Sequence, residues 1–324
     1  MATLIVRPYQ GETDLQPIAQ LLNTCAKADQ TDYYQSVGDL RAELAEPGFD
    51  PERDLRLWHD SDGQLVAMAQ LWVPKTSIDE TTKGFLGFQV HPSYRNRSLE
   101  FDLIAWGEVR VQAIAQERGT VAKLSLGCRD YQRDRIQLYE QCGYQYERCF
   151  LQMLRSLSEP IPEPQFPAAF TLAHQRGVAD AAAWVEAYNE SFIDHWNFHP
   201  INIEEHSYWL AQPTYQPELD LVAIAPNGQI AAFCFCQINH EDNQQRGCKE
   251  GGIHILGTRR GFRRLGLARA MLLTAMHKLK AAGMDTARLG VDTENPNQAQ
   301  SLYQSAGFYR KHASLSYAKL CQEV

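Results

Sequence analysis

Residues Gly251–Ala268 read GGIHILGTRRGFRRLGLA. An apolar run, GGIHILG, gives way to a basic turn, and from Leu267 the pattern changes again. Leu272, Ala275, Met276 and Leu279 then recur at helical spacing, and Gly283 is a natural stop. Strand, glycine-bearing basic turn and helix start together make an anion site. The first amides of a helix have no internal acceptor and point outward, and the helix dipole adds about half a positive charge there. Gly266 lets a phosphate approach the backbone, and Ala268 leaves the next turn uncrowded. Arg259, Arg260, Arg263 and Arg264 add positive charge. A solvated basic loop beside a helix has the same local composition, so the flanking sequence has to decide.

Downstream, TARLGVD from Thr286 alternates apolar residues as a strand does, and ENPNQAQSLYQSAGF follows from Glu294. Asn295 is placed to cap a helix with Pro296 at its first position and Gly307 at its end. Both elements have counterparts earlier in the chain. The stretch VHPSYRNRSLEFDLIAW from Val90 matches the turn and helix from Gly257, and IQLYEQCGY from Ile136 matches AQSLYQSAGF from Ala299. Arg95 lies 168 positions before Arg263, and Tyr139 lies 164 before Tyr303. Two signals at nearly one offset indicate an internal duplication. Each half also opens with a short strand (Leu4–Pro8; Phe170–His174), a helix from an aspartate (Asp14; Asp180) and a hairpin around Asp62-Gly63 or Asn227-Gly228. Four prolines in Ser156–Pro167, SLSEPIPEPQFP, mark a linker between the halves.

Arg263–Ala268 resembles the Q/R-x-x-G-x-G/A signature of the GNAT superfamily of N-acetyltransferases. Asn295–Phe308 resembles that superfamily's N-x-x-x-A-x-x-x-Y-x-x-x-G-F element. Taken as two copies, the resemblance covers nearly the whole chain and is specific in the second. It implies an α/β fold of two tandem domains, each a twisted mixed sheet flanked by helices, with boundaries at 1–155, 156–167 (linker) and 168–324. It implies acetyl-CoA as cosubstrate, its diphosphate on Arg263, Arg264, Leu265, Gly266, Leu267 and Ala268. Leu256, Gly257 and Thr258 would then pair with the pantetheine arm, and Asn295 would complete the site.

The chemistry that the resemblance implies is transfer of an acetyl group by direct attack to a primary amine of an unidentified, small acceptor. The resemblance makes Tyr303 the acid that protonates the departing thiolate, a role that suits a phenol at hydrogen-bond distance; a core aromatic on an amphipathic helix is the alternative. A backbone N–H from a bulged strand at Leu256–Thr258 would face the oxyanion. The base is open. Where many family members carry a glutamate this chain has Gly252, and Glu250 and His254 lie two residues to either side on the same strand face. Either takes the proton, or a water chain does. In the first half the turn reads Arg95-Asn96-Arg97-Ser98-Leu99-Glu100. Ser98 replaces the glycine, and a Glu100 carboxylate ~5 Å from a diphosphate costs on the order of 1–3 kcal/mol. That half is expected to shape structure or substrate.

The formal net charge of −8 over 324 residues argues against a broad nucleic-acid surface. Eight cysteines without C-x-x-C pairs read as reduced thiols of a cytoplasmic protein, and no apolar run approaches the ~20 residues of a membrane span. His195, His199 and His206 lie in YNESFIDHWNFHPINIEEHSYWL from Tyr188, but their spacing lacks a zinc-site context, so no metal is expected. A non-catalytic acyl-CoA-binding or interaction module is the competing reading.

Overall fold

The computed structural model describes residues 4–75, 80–95 and 98–321. The chain divides into two compact units, Met1–Arg148 with Ser314–Val324, and Cys149–Ala313. Asn96 and Arg97 of the first half's turn lie outside the described residues.

In chain order the first half contains β1 (Ile5–Pro8), α1 (Glu12–Ala28), α2 (Val37–Leu44), α3 (Pro51–Asp54), β2 (Leu55–His59), β3 (Leu65–Trp72), β4 (Thr81–Val90), α4 (Leu99–Arg118), β5 (Val121–Arg129), α5 (Arg133–Gln141) and β6 (Gln145–Ser156). The second half contains β7 (Thr171–His174), α6 (Ala181–Phe192), α7 (Ile203–Leu210), β8 (Asp220–Ile224), β9 (Ile230–Gln237), α8 (His240–Arg246), β10 (Glu250–Thr258), α9 (Leu267–Ala281), β11 (Thr286–Asp292), α10 (Ala299–Ser305) and β12 (Tyr309–Cys321). The two lists repeat one order of elements, as the duplication predicts, apart from α3 in the first half and α8 in the second.

In the first unit β1, β2, β3 and β4 run antiparallel, and β4 pairs parallel with β5. In the second, β7, β8, β9 and β10 run antiparallel, and β10 pairs parallel with β11. The last strand of each sheet comes from the other half of the sequence. Ser314–Cys321 of β12 lies antiparallel to β5, and Phe150–Ser156 of β6 lies antiparallel to β11. Thus Ser156–Pro167, with its prolines, lies inside the second unit, while the C-terminal strand belongs to the first.

Local chemistry accounts for these elements. Gly63 and Gly228 alone take positive φ, 81° and 83°, while Asp62 and Asn227 stay on the negative side. Each hairpin is therefore a turn followed by a left-handed glycine, and the strands shift register beside it. α9 buries Leu272, Ala275, Met276 and Leu279 completely. It ends as expected at Gly283, whose φ is 86°; Gly283 N–H donates to the Lys280 carbonyl and Met284 N–H to that of Leu279. The opposite face of the second sheet packs Phe233 and Val222 against Trp184 and Ala187 of α6.

Candidate active site

The basic turn and the N-terminus of α9 open into a cavity of about 440 Å³ in the second unit. Leu256, Gly257, Thr258, Arg263, Arg264, Gly266, Leu267, Ala268, Asn295 and Tyr303 all line it, whereas Leu265 points away and is 49% exposed. Gly266 caps α9 at φ 86°, and a Cβ built there would meet nothing within 4 Å. The open side of this residue is thus free for a ligand. The first turn of α9 contains no acid, so its amides and dipole are uncompensated.

Four arginines were expected to screen an anion, and three are already engaged. Buried Arg259 donates to Glu186 (2.9 Å) and Glu190 (2.7 Å). Arg260 pairs with Asp194. Arg263 donates through Nε to the Thr258 carbonyl (3.2 Å) and through its terminal nitrogens to the Ser191 carbonyl (3.0 Å), Asp194 and Asn297. The acids Glu186, Glu190 and Asp194 are spaced by four, hence on one side of α6 and its extension, and they hold the turn in shape. Arg264 is exposed, lines the cavity at φ 64°, and has no ion pair among the described residues. Arg269, which the motif does not single out, also lines the cavity and donates to Ser305 Oγ (2.8 Å).

Strand β10 carries a bulge between Ile253 and Ile255, two residues before the Leu256–Thr258 stretch where one was expected. Its pairing with β11 ends at Ile253–Leu289, so beyond that point its β11-facing backbone groups have no strand partner. The bulged residue is His254. A Cβ at Gly252 would come 2.6 Å from His254 Nε2, so the imidazole fills the space above the bare glycine. Surrounding protein bulk and then the Arg288 guanidinium push its pKa down. The residue as a whole is exposed, which makes the shift smaller than in an enclosed imidazole. Glu250 is committed elsewhere: its Oε1 pairs with Arg246 (3.2 Å) and Arg288 (3.0 Å), and neither Glu250 nor His254 lines the 440 Å³ cavity.

Gly257 has a structural reason of its own, since a Cβ there would lie 2.2 Å from the buried Phe233 ring. Asn295 does not cap a helix. Its Oδ1 accepts from Asn297 N–H (2.9 Å), its carbonyl accepts from Gln298 N–H (3.1 Å), and α10 starts only at Ala299. Pro296 occupies the second position of that turn, where its fixed φ competes successfully with helix initiation. Tyr303 on α10 is buried, its ring packed near Phe308, and its hydroxyl has no hydrogen-bond partner among the described residues. Burial, then the nearby Cys234, raises its pKa, so the phenol keeps its proton. Of the histidines near α7, His195 lines the cavity and His206 stacks on Trp184 at 4.5 Å, its pKa pushed down by burial to about 4. Among the described residues no three metal-ligating side chains are grouped to hold an ion.

The first unit has a matching hollow of about 590 Å³ with different contents. Ser98 takes the left-handed role of Gly266 at φ 69°, and Glu100 and Asp102 stand in the first turn of α4. Arg95 Nε donates to the Val90 carbonyl (3.0 Å), as Arg263 does to Thr258, but its tip pairs with Asp29. Arg135, which corresponds to Ala299, reaches the Phe88 carbonyl (3.4 Å) and Gln89 Oε1 (2.7 Å) and stacks over Phe88. It therefore occupies the strand edge that the second unit leaves open. The Tyr139 hydroxyl donates to the Gly127 carbonyl (2.9 Å) and is not available as an acid.

Comparison with known proteins agrees with this geometry. The sequence model of the acetyltransferase (GNAT) family matches residues 15–144 and again 181–308. A mycothiol acetyltransferase of Salinispora tropica is 27% identical over 267 residues, 79% of this chain and 78% of that one. One from Kineococcus radiotolerans is 30% identical over 260 residues, with the same coverage. Among solved structures, a GCN5-related N-acetyltransferase from Sphaerobacter thermophilus aligns with a TM-score of 0.76 at 26% identity, over 99% of this chain and 96% of that one. A tandem GNAT protein from the clavulanic acid biosynthesis pathway shares the fold, with a TM-score of 0.73 at 12% identity over 99% and 100%.

Proposed function

The chain belongs to the acetyltransferase (GNAT) family, and from that premise we propose that its second unit transfers an acetyl group from acetyl-CoA to a primary amine of a small acceptor. One observation carries the reading. The N-terminus of α9, with left-handed Gly266, no acid in its first turn and a free Arg264, opens into the same cavity as the Tyr303 phenol. The first unit contrasts in its cap residue Ser98, in the acids Glu100 and Asp102 of the first turn of α4, and in Tyr139, whose hydroxyl is bonded to the Gly127 carbonyl.

Acetyl-CoA, when bound, supplies an activated acyl group and a thiolate leaving group. The first amides of α9 and Arg264 hold the diphosphate. The unpaired edge of β10 beyond Ile253 holds the arm that follows, and a main-chain N–H at the bulge faces the oxygen on which charge develops. Tyr303, kept protonated by burial and free of protein acceptors, donates to the sulfur. His254, neutral at pH 7, takes the proton of the incoming amine in place of the family's glutamate. Glu250, bound by two guanidinium groups, is the poorer candidate. The likeness to mycothiol acetyltransferases supports a small-molecule amine as acceptor.

The test is thiol release from acetyl-CoA with a panel of small amines. Turnover is expected, and Tyr303→Phe is expected to slow it about 100-fold while coenzyme A binding stays intact. Tight binding without turnover above that of Tyr303→Phe would instead favour an acyl-CoA-binding module, the reading that the glycine at 252 motivates.

A further inference from the structure

Resting on the transferase reading, we propose that the acceptor amine also carries a carboxylate, and that Arg288 is the residue that reads it. Gly252 of β10 and Arg288 of β11 are register partners in the parallel pair. Their side-chain positions lie on one face, about 4.8 Å apart across the strands. His254 Nε2 overhangs the Gly252 position as well, 2.6 Å from where a Cβ would sit. The imidazole and the arginine therefore flank the same spot on the sheet.

The charges around this spot are ordered by depth. Glu250 is 7% exposed and bound by both Arg246 and Arg288; Arg246 is 15% exposed and also bound by Asp242 at 2.8 Å. Arg288 is 35% exposed and uses only Nε, toward Glu250 at 3.0 Å. Among the described residues no other group pairs with its guanidinium, so its two terminal nitrogens have no acid to hold, and the side chain is partly exposed. The acids of the cluster lie beneath, and the charge presented beside His254 is positive.

An acceptor must arrive there with a neutral nitrogen. A guanidinium a few ångströms away disfavours an ammonium and so lowers the acceptor's amine pKa. A simple alkylamine, a cation in solution, loses affinity for the same reason. A carboxylate on the same molecule reverses this, because the planar fork of Arg288 binds it through two parallel charge-assisted hydrogen bonds. The site thus selects an amine whose net charge is zero or negative.

Matched pairs test this: phenylalanine against phenethylamine, and a dipeptide with a free N-terminus against its C-terminal amide. Binding to the full chain saturated with coenzyme A is measured by calorimetry, and thiol release with acetyl-CoA is followed in parallel. The carboxylate members are expected to bind about 10- to 100-fold more tightly. Arg288→Gln should erase the difference within each pair, and Arg288→Lys should restore part of it; Arg246 remains to hold Glu250, and a thermal melt checks the fold. Equal or tighter binding of the members that lack the carboxylate, a preference that survives Arg288→Gln, or no binding by any member overturns the assignment. A carboxylate preference in binding without any thiol release leaves Arg288 as the reader and sinks the transferase reading instead.

Discussion

Gly266→Ser copies into the second unit what the first unit already contains. Ser98 shows that the fold accepts a serine at this cap with φ 69°, and a Cβ at Gly266 meets no atom within 4 Å. The protein is therefore expected to fold. The left-handed backbone of a non-glycine residue costs about 1–2 kcal/mol, which lowers the melting temperature by roughly 2–8 °C for a unit of this size. The effect on ligand is larger. A side chain in the open space of the turn keeps a phosphate from the first amides of α9, and losing one or two charge-assisted hydrogen bonds weakens binding about 10- to 100-fold or more. Calorimetry with coenzyme A gives the dissociation constant, and a melt without ligand gives the stability term separately. If Gly266→Ser binds coenzyme A as the parent does, the diphosphate does not sit on this turn and the assignment of the cavity fails. Loss of binding together with a collapsed melt would convict the fold instead, and Gly266→Ala, with no hydroxyl, then separates the two.

Four further outcomes follow from the charges. Arg264→Ala should weaken coenzyme A several-fold, more at low than at high salt, with an unchanged melting temperature; Arg259→Ala should cost about 1–2 kcal/mol of stability, since it unlocks Glu186 and Glu190. His254 has a lowered pKa, so it is neutral above that value and its function is lost as pH falls through it. The limb of kcat/KM that disappears in His254→Gln should thus lie below the ordinary imidazole value of about 6.5, separate from the limb that the free acceptor amine sets at higher pH in both proteins; a His254-dependent limb at or above that value contradicts the placement. Asp220 is buried, accepts from the Tyr215 hydroxyl (3.2 Å), and its pKa is pushed up to about 7 by burial. A raised carboxyl pKa leaves the fold favoured at low pH and erodes it as pH climbs toward 7. The melting temperature of Asp220→Asn, relative to the parent, should therefore rise between pH 4 and pH 8, and a flat difference refutes it.

Much of this was readable in the chain itself. Arg263–Ala268 and Asn295–Phe308 each combine a turn with a helix boundary, and such local chemistry survives whatever packs around it. The lock on the arginines was readable too: Glu186, Glu190 and Asp194 recur every four residues, a helix side with an obvious charge to meet. The bulge at His254 was not, because apolar alternation in GGIHILG continues through it without a break. Nor was the cap at Gln298, where an Asx turn and a proline use the same residue types as a helix start. Partner choice for β6 and β12 was hidden for a different reason. Alternation says that Gln145–Ser156 and Tyr309–Cys321 are strands, and says nothing of which edge each one closes.

That exchange has a bearing on biosynthesis. By residue 148 all of the first unit's chain except its last strand has been made, yet the edge of β5 stays unpaired and its core lacks Tyr317 and Cys321 until residues 314–321 leave the ribosome. At cellular elongation rates this is an interval of roughly 10–30 seconds. During it an exposed strand edge is open to pairing with a neighbouring nascent copy, a liability that ends only when β12 closes the edge of β5.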